Sequence, residues 1–202
     1  MVREGLTPLH QTLWMLYARD AHSFVFGHDG HHPVTTKDEH NTAAPEQPFP
    51  DLPYLRVLFD CFLVSGQFLA PGAATFALAW GIPLLHLEQQ AATGTLFIEK
   101  SRQIMASWLC CAYLLWRAKF HAHQLIIVQS KKEEDAAKFV YVKEVQQARI
   151  SFIESRLPAW LQEGATSIVK KGYGGKARPV SRADYGNLYF ANGSRIWAVP
   201  QG

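Results

Sequence analysis

Thr95-Leu96-Phe97-Ile98-Glu99-Lys100-Ser101-Arg102-Gln103-Ile104-Met105-Ala106-Ser107-Trp108 opens the stretch on which the fold reading turns. Leu96 to Ile98 is a short apolar run and Glu99 to Gln103 a polar turn; Trp108 to Trp116 is then apolar on every side until Arg117 and Lys119 close it. That order predicts a strand, a loop and a buried helix, with the basic residues suited to the negative end of the helix dipole. The pattern then repeats. Leu125-Ile126-Ile127-Val128 is a β-branched run ended by Gln129-Ser130, and Ser130-Lys131-Lys132-Glu133 has the form of a capping box opening another helix. Two strand-then-helix units in a row predict an α/β fold with a parallel or mixed sheet flanked by helices. The second helical pattern continues through Val145, Ala148 and Phe152 to Leu157, where Pro158 stops or kinks it. Farther on, Leu188-Tyr189-Phe190 and Ile196-Trp197-Ala198-Val199 flank Asn192-Gly193, a strong hairpin signal.

Upstream, residues 6 to 27 mix aromatics and leucines at helical spacing, and Ala43 to Pro53 breaks that pattern with four prolines, as a connector does. Leu55, Leu58, Phe59, Phe62 and Leu63 then recur at three and four within Tyr54 to Val64, an amphipathic helix, before a region punctuated by Gly and Pro up to Gly94. The organisation expected is a helical or irregular segment over 1–47 followed by an α/β domain over 48–202.

A chain of 202 residues, 48% hydrophobic and 12% aromatic, buries a real core in one or two domains, which excludes disorder for most of it. Cys61, Cys110 and Cys111 cannot complete a disulfide framework; the last two are neighbours in an apolar run, expected in the core and not at metal-ligand spacing. This cysteine usage suits a reducing, cytoplasmic compartment. Arg3, Glu4, Arg19 and Asp20 interrupt the first thirty residues, and no secretion signal is expected there. The uncharged stretch from Cys61 to Leu87 is long enough to span a membrane, but Gly66, Pro71, Gly72, Gly81 and Pro83 interrupt it, so no membrane span is expected. Residues 1–98 carry four bases against nine acids, a balance of −5, whereas 99–202 carry sixteen against eight, a balance of +8. The second half therefore suits an anionic partner such as phosphate, or else presents a basic solvated face.

The loop between Ile98 and Trp108 has the position of a phosphate-binding loop. In a standard P-loop, a glycine and four residues precede Gly-Lys-Ser/Thr. Backbone N–H groups curl round phosphate, the lysine neutralises β/γ oxygens, and the hydroxyl ligates Mg²⁺. On that frame Lys100 stands at the first glycine, Met105 at the second, Ala106 at the lysine and Ser107 at the hydroxyl. Only Ser107 matches. An ordinary strand-to-helix connection is the alternative reading.

The ordered set of elements resembles the ATPase domain of phage large terminase subunits, motors that package double-stranded DNA. Several of those proteins carry the phosphate-binding lysine at the start of the loop, and Lys100-Ser101-Arg102-Gln103 with Ser107 is similar to that arrangement. The resemblance extends to Leu125 through Asp135, to Tyr189 through Ile196, and upstream to Pro48-Phe49-Pro50 through Tyr54-Leu55, so that it covers Pro48 to Gly202. It implies a P-loop NTPase-like fold with a deviant Walker A over 100–107, ATP and Mg²⁺ as cofactors, and double-stranded DNA as partner. It also implies a portal protein and a small terminase subunit as partners, a homo-oligomer on the portal, and a place in the bacterial host cytoplasm at the procapsid. Lys100 would contact the β/γ-phosphates, Ser107 would ligate Mg²⁺, Arg102 would stabilise γ-phosphate charge or pair with Glu99, and Gln103 would orient the nucleotide or a water. Ser101, Met105 and Ala106 complete the nucleotide-binding loop, with Lys100 and Arg102 as the catalytic pair. Two departures stand out: Met105 replaces the glycine that admits close approach to phosphate, predicting a wider or weaker loop, and no apolar strand ending in Asp-Glu follows Ser107. The chain then reads as the front part of a longer motor, truncated before Walker B and the nuclease domain, with negligible ATP hydrolysis of its own.

Three other features of the sequence have chemistry-bearing residue types or spacing. The basic, glycine-rich stretch Lys170 to Arg178 suits a flexible solvated loop, or a grip on a DNA backbone. His28, Asp29, His31, His32, Asp38, Glu39 and His40 have metal-ligand types without the spacing of a closed site and read as a polar surface segment, within which Val34 to His40 also resembles a segment near the front of some terminase-like proteins. Ala77, Gly81 and Leu87 have helix-turn-helix spacing, which makes a non-catalytic DNA-binding protein with that element around 74–91 the rival reading; its second helix, Leu84 to Ala91, lacks Lys and Arg and carries Glu88.

Overall fold

The computed structural model of the chain describes residues 6–37, 46–65, 105–142, 148–162, 168–171, 177–180 and 183–201. The helical front is two helices, α1 (Pro8–Arg19) and α2 (Ala21–Phe26). Thr7 caps α1 by accepting from the His10 N–H, and Pro8 occupies the first turn, where its missing N–H costs nothing. Asp20 ends α1 and caps α2, accepting from the His22 N–H and the Ser23 hydroxyl. α3 (Pro53–Ser65) buries Leu55, Phe59, Phe62 and Leu63, the stripe its periodicity predicts.

Between α2 and α3 the chain departs from expectation. Val34 to Lys37 is no polar surface segment: Val34 and Thr36 are buried, and β1 (Thr35–Lys37) pairs antiparallel with β2 (Glu46–Pro48), inside the proline-rich connector. Glu46 is also gripped by Arg156 through two charge-assisted bonds of 2.6 and 2.8 Å, which hold its carboxyl below the usual carboxylate range.

α4 (Ala106–Phe120) is the predicted buried helix, longer at both ends than the apolar run. Trp108, Leu109, Ala112, Leu115, Trp116 and Ala118 are buried around its circumference, and the Trp116 indole N–H donates to the Tyr17 carbonyl at 2.8 Å, tying α4 to α1. Phe26, Phe49, Phe59 and Tyr113 meet edge to face between the front helices and α4. Lys119 does not sit in solvent at the helix end. It is buried, and its ammonium lies 3.1 and 3.2 Å from the two Glu154 carboxylate oxygens.

β3 (Leu125–Ser130) follows, then α5 (Glu133–Val140) and α6 (Arg149–Arg156). The capping box does not form: Ser130 is committed to the β3 ladder, its carbonyl accepting from the Gln201 N–H, and α5 begins after Lys132 without a side-chain cap. Glu133, Glu134 and Asp135 instead place acids in the first turn. The single long helix expected to Leu157 is two helices, because Tyr141 is extended, with its carbonyl accepting from the Gly186 N–H. α6 ends at Arg156, before Pro158 as predicted.

The hairpin forms between β7 (Asn187–Tyr189) and β8 (Arg195–Pro200). Its turn is closed by Phe190 N–H to Ser194 carbonyl and Gly193 N–H to Phe190 carbonyl, with Gly193 at φ +84°. A Cβ there would stand 2.6 Å from the His123 ring. Gly193→Ala is therefore expected to cost about 1–2 kcal/mol, measurable by urea denaturation; an unchanged midpoint would contradict the strain.

β3 and β8 pair in parallel, and β7 and β6 (Ala183–Asp184) continue the sheet antiparallel, in the order β3-β8-β7-β6. The fold is mixed α/β with small mixed sheets. The expected first strand, Leu96 to Ile98, lies outside the described residues. α5 covers one sheet face, burying Ile126, Leu188, Ile196 and Ala198. β4 (Ile168–Lys171) pairs antiparallel with β5 (Ala177–Val180), so Lys170, Lys171, Ala177 and Arg178 belong to paired strands and not to a loop; Gly172 to Lys176 lie outside the described residues. No described helix is long and apolar enough to cross a membrane.

Candidate functional site

α4 places the end of the predicted phosphate loop. Met105 precedes the helix at φ 58° and ψ 4°, a left-handed conformation uncommon for a residue with a Cβ, and its carbonyl accepts the first helical bond from the Leu109 N–H. The second glycine of the motif frame thus falls where the backbone does take a glycine-type dihedral; here a methionine takes it, with its side chain packed against the core. The Met105 side chain makes no cap here, and no acid stands in the first turn of the helix. Ala106 is buried and Ser107 half-buried one residue inside the helix. First-turn N–H groups of a helix have no intrahelical acceptor, so this end carries partial positive charge beside a hydroxyl. Lys100, Ser101, Arg102 and Gln103 lie outside the described residues, so of the predicted loop the structure brings together Met105, Ala106 and Ser107.

The opposite end of α4 is fixed by a side chain whose role the sequence did not disclose. The Asn192 amide donates to the Ala118, Lys119 and His121 carbonyls at 2.9, 3.1 and 3.2 Å. The Ser194 hydroxyl donates to the His121 carbonyl at 2.7 Å and accepts from the Gln124 N–H at 3.1 Å. Asn-Gly announces a turn, but only the folded chain shows that the turn caps a helix 70 residues away. His121, beside this cap, has its imidazole pKa lowered by burial and by the Arg117 charge.

The remaining candidates resolve differently. His28 and His31 exchange backbone bonds around a tight turn with Asp29 and Gly30 at positive φ, and His32 Nδ1 lies 3.1 Å from the Phe26 carbonyl. Among the described residues no group of three or more His, Cys, Asp or Glu is placed to hold a metal; Asp38, Glu39 and His40 lie outside them. A cleft of 270 Å³ beside this turn is lined by His10, Tyr17, His31, His32 and Trp160, with His10 stacked on Trp160 at 4.8 Å. Cys111 is buried and Cys110 largely so; burial pushes the Cys110 thiol up to about 11 and Cys111 higher still, the behaviour of core residues and not of nucleophiles. The helix-turn-helix positions Ala77, Gly81, Leu87 and Glu88 lie outside the described residues.

No protein-family model matches the chain, and no curated protein matches it.

Proposed function

We propose that the chain takes up ATP with Mg²⁺ through the loop from Lys100 to Ser107, as part of an ATPase domain of the large terminase type that moves double-stranded DNA. The observation that carries this reading is the entry to α4: a left-handed Met105 in the motif's glycine position, a first helical turn without acids, and Ser107 at the hydroxyl position. The order of elements supports it, since α4 leads directly into β3, and β3 pairs in parallel with β8, the strand of the Tyr189 to Ile196 segment that carries the resemblance. On this reading Lys100 neutralises the β/γ-phosphates, Arg102 stabilises charge on the γ-phosphate, Gln103 orients the nucleotide or a water, and the Ser107 hydroxyl ligates Mg²⁺. Portal and small-subunit contacts would follow from the same family resemblance.

The test is Mg²⁺-dependent binding of a fluorescent ATP analogue. Ser107→Ala is expected to weaken binding about tenfold in Mg²⁺ and to leave binding in EDTA unchanged, because only the metal-bridged contact is removed. Equal loss in both conditions would contradict the assignment of Ser107 to the metal.

A further inference from the structure

The two faces of the β3-β8-β7 sheet differ sharply. Ile126, Leu188, Ile196 and Ala198 are buried beneath α5, whereas on the opposite face Leu125, Ile127 and Trp197 are 62%, 55% and 38% exposed. Parallel ladders are ordinarily covered on both faces, so an open apolar one of this composition is a contact surface. Its chemistry is specific. In register across the strands, Arg195 stands between Leu125 and Tyr189, and Trp197 between Ile127 and Asn187. Arg195 donates from Nε and Nη2 to the Asn187 side-chain oxygen at 3.1 and 2.6 Å, and its guanidinium carbon lies 4.6 Å from the centre of the Trp197 ring and 5.2 Å from that of Tyr189. Its guanidinium is held by a neutral side chain, and β3, β7 and β8 contain no Asp or Glu; the acid of this sheet, Asp184 of β6, is in register with Asn187 one strand farther out.

We propose that this face binds an unpaired nucleic-acid strand, a base stacking against Trp197 and a phosphate meeting Arg195. Charge selects the occupant: a cation pre-oriented by a neutral side chain, in the half of the chain that carries a balance of +8, fits an anion. Shape narrows it. A flat indole beside a stacked guanidinium offers π-surface, which single-stranded bases present and duplex bases hide within the stack. Asn187 holds the guanidinium in place, so little of its freedom remains to be lost on binding. The proposal does not depend on the nucleotide loop and would survive its failure.

The experiment is fluorescence anisotropy with a labelled oligothymidylate of about 12 nucleotides and a duplex of the same length, using the full chain at low salt. Single-strand binding is expected to exceed duplex binding, to fall steeply with salt, and to weaken at least tenfold in both Trp197→Leu and Arg195→Gln. Ile127→Glu, an exposed position whose change leaves the core intact, is expected to do the same by placing a carboxylate on the face. Absence of binding, equal affinity for duplex, or unchanged affinity in Ile127→Glu would overturn the proposal and return the face to a protein partner.

Discussion

Lys119→Met is expected to lower the unfolding free energy by about 3–5 kcal/mol, the cost of taking the ammonium away from a buried carboxylate. The Lys119 side chain is 0% exposed and that of Glu154 11%, and the ammonium reaches both carboxylate oxygens, so water cannot substitute for either charge. Glu154→Gln removes the opposite charge and should cost a similar amount. The double change Lys119→Met with Glu154→Leu is expected to recover most of the loss, because matched apolar groups need no counter-charge. Urea denaturation followed by circular dichroism measures all three. A single variant within about 1 kcal/mol of the unaltered chain, the range of an exposed pair, would show that the pair is solvated. The pair joins the end of α4 to α6, so its loss should also loosen the packing of those two helices against one another.

Asn192→Ala is the second large effect, expected at about 2–3 kcal/mol because three carbonyls at the end of α4 lose one shared donor while remaining half-buried. Asn192→Asp keeps the size and the acceptor used by the Ser194 N–H but replaces the donor with a carboxylate facing those carbonyls. Its loss should be at least as large at neutral pH and should shrink as the pH falls and the new carboxyl protonates. A destabilisation confined to the alanine variant would contradict the capping role.

What the sequence disclosed is what local pattern controls. The helical periodicity of α3, the apolar run of α4, the β-branched run of β3 and the Asn-Gly hairpin each arise within a few neighbouring residues, and each is present. The misreadings come from long-range competition. Ser130 has a capping-box spacing, but the parallel ladder with β8 holds it in the strand. The apparent helix from Lys131 to Leu157 breaks because the Tyr141 carbonyl is taken by Gly186. Lys119 has the sequence position of a dipole-facing surface lysine, and the buried carboxylate of Glu154, 35 residues on, holds its ammonium inside. Thr36, polar in sequence, is buried because β2 pairs beside it. Of the candidate loop, the exit into α4 falls on described residues, and there Met105 takes a left-handed dihedral that its substitution for the motif glycine did not announce. Lys100 to Gln103 rest on the sequence reading, and no spacing argument foresaw Asn192 at the far end of the same helix.

Whether Lys100 neutralises nucleotide phosphate, as proposed, is decided by titrating a fluorescent ATP analogue into the chain and its Lys100→Ala variant in Mg²⁺. Binding by the unaltered chain is expected, weakening about tenfold in the variant, roughly 1.4 kcal/mol, with the fold intact by circular dichroism. Equal affinity of the two proteins would contradict it.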